Sequence, residues 1–538
     1  MNMVLDDTRR IVEFLVDRAD AEEFEILQTL EHNLLWLYRH TKDRAQAESE
    51  EHAEITSKAK EVLIAIERFR DRANSREHFV RFKTLVGYES VFPPEWEGDP
   101  MDIEGQQAYR AARIGEYVAS VTNETVDEWY DVVRRCASVQ SNDMATFPSF
   151  FEFLEQLATR SPAIMLRYLD QGEDVLAAFL PAILRGLERS EEPSSVPSLI
   201  GRWVEQGRHL AAIARHLRLT KGASADLIRK VGQKALDTKD LISTIEVIAA
   251  VVANGAVDLV DPVVMPGIGY FSAVGDTRWV RAVWFMPELP AFIRRLSEAQ
   301  CETVLENLTL CSRIDYDGER ILRPIAENFP RSVWQFLKNR LDRKAEDDPD
   351  GRYEAVPYRF QELRNPLSKD IELAVDTVRS WYRADNSLFQ FRGGRVLHNV
   401  FPEFGAELEA KLISVAREGT DEAIDFVLRI LRAYQGETFL HGVCKEIVNS
   451  VPENDDRLGE VEVILESTGV VSGQFGFVEA YQRKKEEAEP WLSDERPKVR
   501  AFAERYQRSL DRAIAAEQRR SEADHELRRR DWPEEDEE

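Results

Sequence analysis

LATRSPAIMLRYL, from Leu157 to Leu169, and IAENFPRSVWQFL, from Ile325 to Leu337, are two versions of one phrase. Each closes a helix in Ala-x-x-x-Pro, Ala158 to Pro162 and Ala326 to Pro330. Each then sets apolar residues three, four and seven positions beyond the proline: Met165, Leu166 and Leu169, then Val333, Trp334 and Leu337. That spacing lines one face of a helix, and a first-turn proline gives up only an N–H that has no intrahelical partner. The two prolines stand 168 positions apart, which is about four units of ~42 residues, the size of a helix-pair repeat.

Outward from these windows the same period continues. Leu27, Leu30, Leu34 and Leu37, starting from Phe24, form one stripe, and Ile55, Ala59, Val62, Ile66 and Phe69 form a second. Two long N-terminal helices joined through roughly residues 41–56 are expected. Helical runs follow at about 105–121, 124–138, 148–159, 162–170, 173–188, 198–217, 223–236 and 239–254. More are read at about 288–296, 298–310, 319–328, 330–343, 369–383, 404–418, 420–434, 437–450, 457–467, 476–489 and 497–530. Thr420 before Asp421 and Glu422 reads as an N-cap with first-turn acids, and Gly419 and Gly436 sit at C-cap positions. Phe92–Asp102, Arg189–Ser198 and Lys344–Tyr358 read as breaks. Asp258–Val274 is the best candidate for irregular or short-strand structure.

Composition narrows the class. The chain has 538 residues with a formal charge of −27, and 43% of its residues are hydrophobic. That is enough apolar material for a large core and excludes disordered and collagenous chains. Cys136, Cys301, Cys311 and Cys444 are too scattered for a disulfide framework. Asp6 and Asp7 interrupt the start where a secretory signal would be apolar. Val247–Val257 is far short of the ~20 apolar residues of a membrane span. A cytoplasmic location with no membrane partner is therefore expected. The negative balance disfavours nucleic acid as a general ligand, because phosphate binding draws on clustered Lys and Arg.

Near the end, Asp494-Glu-Arg-Pro497-Lys-Val499-Arg500-Ala-Phe-Ala503 resembles the D-x-x-P-x-V-R-x-x-A turn and helix of HEAT repeats. Asp494 would cap the coming helix, Pro497 would preset its first turn, and Val499, Phe502 and Ala503 would face the previous layer. Arg500 would point toward an inter-repeat polar ladder. The wider stretch Gly469–Arg520 resembles the end of the helical C-terminal regions of large bacterial signal-transducing NTPases associated with phage defence. FVRFKTLVGYESVFPPEW, Phe79–Trp96, is similar to them as well. In that family a P-loop module is regulated by a helical sensor of a foreign component. No G-x-x-x-x-G-K-[ST] occurs here, so the resemblance implies only the sensor portion.

The expected fold is thus all-α, a HEAT-like α-solenoid of antiparallel helix pairs with an N-terminal long-helix hairpin. Its divisions are a hairpin region (1–90), a helical segment (91–190), a repeat region (191–343), C-terminal HEAT-like repeats with a capping helix (344–530) and an acidic tail (531–538).

Motifs for chemistry are sparse. His209 and His216 fall seven apart on one expected helix, roughly 10 Å, too far to share an ion. His441, Cys444 and His398 make an incomplete ligand set. Pro266-Gly-Ile-Gly269 fails the dinucleotide rule, and G-x-S-x-G and H-E-x-x-H are both absent. No catalytic residue, metal or cofactor is expected. Arginines are the binding candidates: Arg278, Arg281, Arg294 and Arg295, interleaved with Trp279, Trp284, Phe285 and Phe292 as a surface that could stack bases, and Arg392 and Arg395, whose guanidinium groups flank a flexible glycine turn as an anion or phosphate candidate. The function read from these features is a non-enzymatic helical-repeat interaction or sensor protein with a protein partner, an NTPase or a phage component, in a bacterial antiphage system. The alternatives are a nuclease-like hydrolase with a non-contiguous active site, and a nucleic-acid binder using the local Arg-rich face.

Overall fold

The computed structural model describes residues 2–46, 53–87, 90–97, 102–343, 353–357, 359–384, 394–473 and 475–531. Among these residues every regular element is a helix and none is a strand, so the chain is all-α. It forms two compact units, Met1–Asn254 and Gly255–Glu538.

In the first unit the expected long pair is present as Phe24–Ala45 and Ala53–Asn74. A third helix, Asn2–Arg18, lies along Ala53–Asn74. Lys58 pairs with Asp6 at 2.7 Å and Arg72 with Asp20, both 52 positions apart, so these two helices run parallel. Beyond them every second helix stacks on the next: Glu77–Leu85, Ile103–Ser120, Pro148–Arg160, Leu180–Glu188, Leu210–Leu219 and Leu241–Ala253. A second row holds Val126–Ala137 against Pro162–Gly172, and Ser195–Gln206 against Ala225–Asp237. The run expected over 198–217 is two helices. Gly207 (φ 70°) and His209 (φ 54°) adopt left-handed backbone between them.

One ion pair in this unit is sealed from solvent. Lys83 Nζ lies 2.9 and 2.7 Å from the Glu31 carboxylate oxygens and 2.5 Å from the Val91 carbonyl, while Asn74 donates to Glu31 at 2.7 Å. Glu31 and Lys83 are 0% and 1% exposed. Burial pulls the Lys83 ammonium below its usual range, and the Phe79 and Phe92 rings beside it help to offset that loss of water.

The second unit repeats the two-row plan. One row runs Met265–Val274, Glu298–Leu308, Pro330–Asp342, Ile371–Ala384, Ala406–Ala416, His441–Ser450 and Pro497–Asp531, each against the next. Leu289–Ile293 and Tyr316–Asn328, then Asp421–Leu431, Arg457–Glu466 and Gly476–Ala488, lie in the other. The segment expected to be irregular or strand-like, 258–274, is helical throughout, passing from 3-10 through π to α geometry. Pro262, Pro266, Gly267 and Gly269 disguise it. Val257–Val274 has a mean hydropathy of 1.3 and is the one described helical run long and apolar enough to cross a membrane. Within the unit, Val260, Val263, Ile268 and Phe271 face the protein core.

The two matching windows share backbone as well as sequence. Pro162 and Pro330 each open a helix, and the preceding residues Ser161 (φ −134°, ψ 65°) and Phe329 (φ −131°, ψ 65°) bend almost identically. Polar contacts recur between layers at 28 to 43 positions: Arg432–Glu460, Arg294–Glu327, Arg379–Glu418 and Arg379–Glu422. That spacing is what stacked helix pairs produce. In the C-terminal motif Val499, Phe502 and Ala503 are buried as expected. Asp494 does not cap the helix, since its Oδ1 accepts the N–H of Arg496 at 3.1 Å and its carboxylate grips the same guanidinium. Asp455 with Arg457, and Asp276 with Arg278, make the same turn before a helix.

Two fully buried charges tie residues 354–355 and 361–363 to the stack. Arg340 donates to the carbonyls of Leu308, Thr309, Cys311, Glu354 and Ala355 at 2.6–3.3 Å. Glu319 accepts the N–H groups of Gln361, Glu362 and Leu363 at 2.5–3.1 Å. Burial lowers the arginine's pKa and raises the glutamate's. A helix C-terminus carries negative potential, so Arg340 keeps its charge among carbonyls without a carboxylate.

Candidate functional site

The arginine and aromatic segment lies in the second unit, on the short helices Trp279–Val283 and Leu289–Ile293. Its aromatics divide between core and surface. Trp279 is buried and donates its indole N–H to Asn307 Oδ1 at 2.7 Å, and Phe292 is buried too. Phe285 is 54% and Tyr316 38% exposed, with Trp284 half-buried between them at 6.0 Å from each ring centroid. Tyr316 opens the helix Tyr316–Asn328, so two elements build this aromatic surface.

Its arginines are exposed, but their charges are largely compensated. Arg278 is held by Asp276 at 2.7 Å, and Arg294 by Glu327 at 2.8 Å. Arg281 acts on Asp317, whose carboxyl is raised by burial and by Asp315 and is pulled back by Arg281. Arg295 is exposed at the end of the same segment. Arg395 is exposed on the helical run 394–400, and Arg392 lies outside the described residues. The structure therefore groups Trp284 with Phe285 and Tyr316, and Arg281 acts on Asp317, the residue next to Tyr316, while Arg278 and Arg294 belong to ion pairs.

Elsewhere little is set up for chemistry. Grooves of about 770 and 640 Å³ in the first unit are lined by closed ion pairs, Arg135–Glu23 in one and Arg185–Glu155–Arg189 in the other. Burial raises the Cys301 thiol to about 11 and that of Cys444 to about 12, far from a reactive thiolate. His441 is pushed down to about 4 by burial and accepts the Trp491 indole N–H on Nδ1 at 3.3 Å. His216, buried, pairs with Glu188 at 2.9 Å. Among the described residues one group of three metal-capable side chains converges, Glu173, Asp174 and His209. Sequence reading missed it because it compared His209 only with His216 along one continuous helix.

Comparison with protein-family models, curated proteins and solved structures finds no match to this chain.

Proposed function

We propose that the chain is a non-enzymatic helical-repeat interaction protein that docks a protein partner on the surface formed by Arg281, Trp284, Phe285 and Tyr316. The observation that carries this reading is the exposed aromatic cluster on a stacked-helix frame. Trp, Tyr and Arg dominate the few residues that supply most binding energy at protein interfaces. Closely spaced layers offer rigid, extended surfaces of the kind repeat proteins use for docking. A protein is favoured over nucleic acid because Arg278 and Arg294 spend their charge on Asp276 and Glu327, and phosphate binding needs uncompensated cations. The resemblance of Gly469–Arg520 to phage-defence NTPase sensor regions points the reading to an NTPase or a phage component as partner, in a bacterial antiphage system.

The test is a photocrosslinking amino acid at Phe285, introduced in the source cells during phage challenge and in unchallenged cells. The expected product is a discrete protein adduct that Trp284→Ala weakens at least tenfold. Adducts to nucleic acid, or an adduct indifferent to Trp284→Ala, would overturn the reading.

A further inference from the structure

We infer that Glu173, Asp174 and His209 form a binding site for a divalent transition-metal ion of the zinc class. Glu173 and Asp174 follow directly on the helix Pro162–Gly172, and His209 directly precedes Leu210–Leu219. Two adjacent helix pairs thus bring the ligands together at one edge of the first unit. Each side chain offers one ligand atom, and these atoms all lie within 4.8 Å of one another. His209 Nε2 is 3.6 Å from Glu173 Oε1 and 3.7 Å from Asp174 Oδ1. Tetrahedral zinc with ligands at about 2.0–2.1 Å holds ligand atoms roughly 3.3 Å apart, so small side-chain shifts close the site.

The histidine is what separates this group from an ordinary acidic cluster. Its side chain is 7% exposed, and Nε2 is buried with no hydrogen-bond partner while aimed between the two carboxylates. A buried polar atom without a partner is costly, and coordination would satisfy it. Trp203 orients the set, its ring standing edge-on to the imidazole at 5.3 Å and its indole N–H donating to Glu173 Oε2 at 2.9 Å. Metal ligands are commonly fixed in this way by a hydrogen bond to the remaining carboxylate oxygen.

Arg208 is the resident competitor. Its guanidinium pairs with Glu173 Oε1 and with Asp174 Oδ1, and its side chain is 40% exposed. Entry of the ion swings this guanidinium into water, leaving Glu173, Asp174, His209 and one water as ligands. Removing Arg208 should therefore tighten metal binding. A purely structural ion-pair network predicts nothing of the kind.

The experiment uses the full chain stripped with chelator. Co²⁺ binding is followed by visible absorption, Zn²⁺ binding by calorimetry, and circular dichroism confirms the fold. One ion per chain is expected, with tetrahedral Co²⁺ bands and a higher Tm on loading. His209→Asn, chosen because asparagine tolerates left-handed backbone, and Glu173→Gln should each weaken binding at least tenfold, while Arg208→Ala strengthens it at least threefold. No binding at millimolar metal, or unchanged affinity in a folded His209→Asn chain, would overturn the assignment. So would weaker binding in Arg208→Ala.

Discussion

Arg340→Met removes the central guanidinium from the cage of carbonyls around residue 340 while keeping much of the side chain's length and apolar stem. The acceptors on Cys311, Glu354 and Ala355 lose the guanidinium outright, while Leu308 keeps the Cys311 N–H and Thr309 keeps Arg343 and the Tyr353 hydroxyl. A hydrogen bond to a charged group contributes about 1.5–3 kcal/mol. The five share one guanidinium, and some of the carbonyls can be rehydrated. Taking two as left dry gives a loss of about 3–6 kcal/mol, against the 5–15 kcal/mol that typically separates a folded domain from its unfolded chain. Urea unfolding reads the total. Hydrogen exchange over residues 353–363 reads the local release, which should precede global opening. Arg340→Lys should fall between, since an ammonium has three donors for five acceptors. A loss below about 1 kcal/mol, with 353–363 still protected, would mean that desolvating the charge costs as much as the cage returns, and the reasoning would fail.

Three further outcomes follow from other contacts. Lys83→Met should cost about 3–5 kcal/mol by leaving the buried Glu31 carboxyl without its cation and with only the Asn74 amide, whereas the pair Glu31→Leu with Lys83→Met should cost clearly less, as a double-mutant cycle in urea would reveal. The Arg379 hydrogen bonds hold Glu422 at about 2 against its ordinary 4.5; a lowered folded pKa stabilises above the unfolded value, so this contribution is complete above about pH 5 and fades as pH falls toward 2. Tm measured across that range should drop less steeply in Arg379→Met, and parallel slopes would contradict the assignment. Gly436→Ala should destabilise the second unit, because φ is 88° and a Cβ would meet the Ser467 carbonyl oxygen at 2.2 Å; an unchanged urea midpoint would refute this.

The helices were legible because their apolar stripes and punctuation agree. Pro162, Pro330 and Pro497 open helices, Thr420 caps one by accepting the Ala423 N–H, and Gly419 and Gly436 are left-handed where helices stop. The helix Asn2–Arg18 escaped notice because its buried face, Leu5 and Val12, is blurred by exposed Val4, Ile11 and Phe14. The break at Gly207–His209 was hidden since Trp203, Leu210, Ile213 and Leu217 continue the apolar stripe across it. The same break concealed the Glu173–Asp174–His209 group, in which the histidine stands more than thirty positions from the two adjacent acids. A signal did exist in the repeated Asp-x-Arg of Asp276–Arg278, Asp455–Arg457 and Asp494–Arg496, which marks helix starts through backbone and guanidinium contacts together. For the proposed docking surface, sequence located the arginine and aromatic segment but not which members reach solvent. That depends on the neighbouring helix Tyr316–Asn328, which supplies Tyr316 from outside the segment.

This helical frame is proposed to serve by holding another protein. Native mass spectrometry of the chain isolated from its own cells at physiological salt tests that most directly, run beside a turnover assay with nucleotides and nucleic acids in Mg²⁺ or Mn²⁺. A stoichiometric protein complex that dissociates in Trp284→Ala, with no turnover, is predicted. A chain that flies alone and hydrolyses a nucleotide or nucleic acid would contradict it.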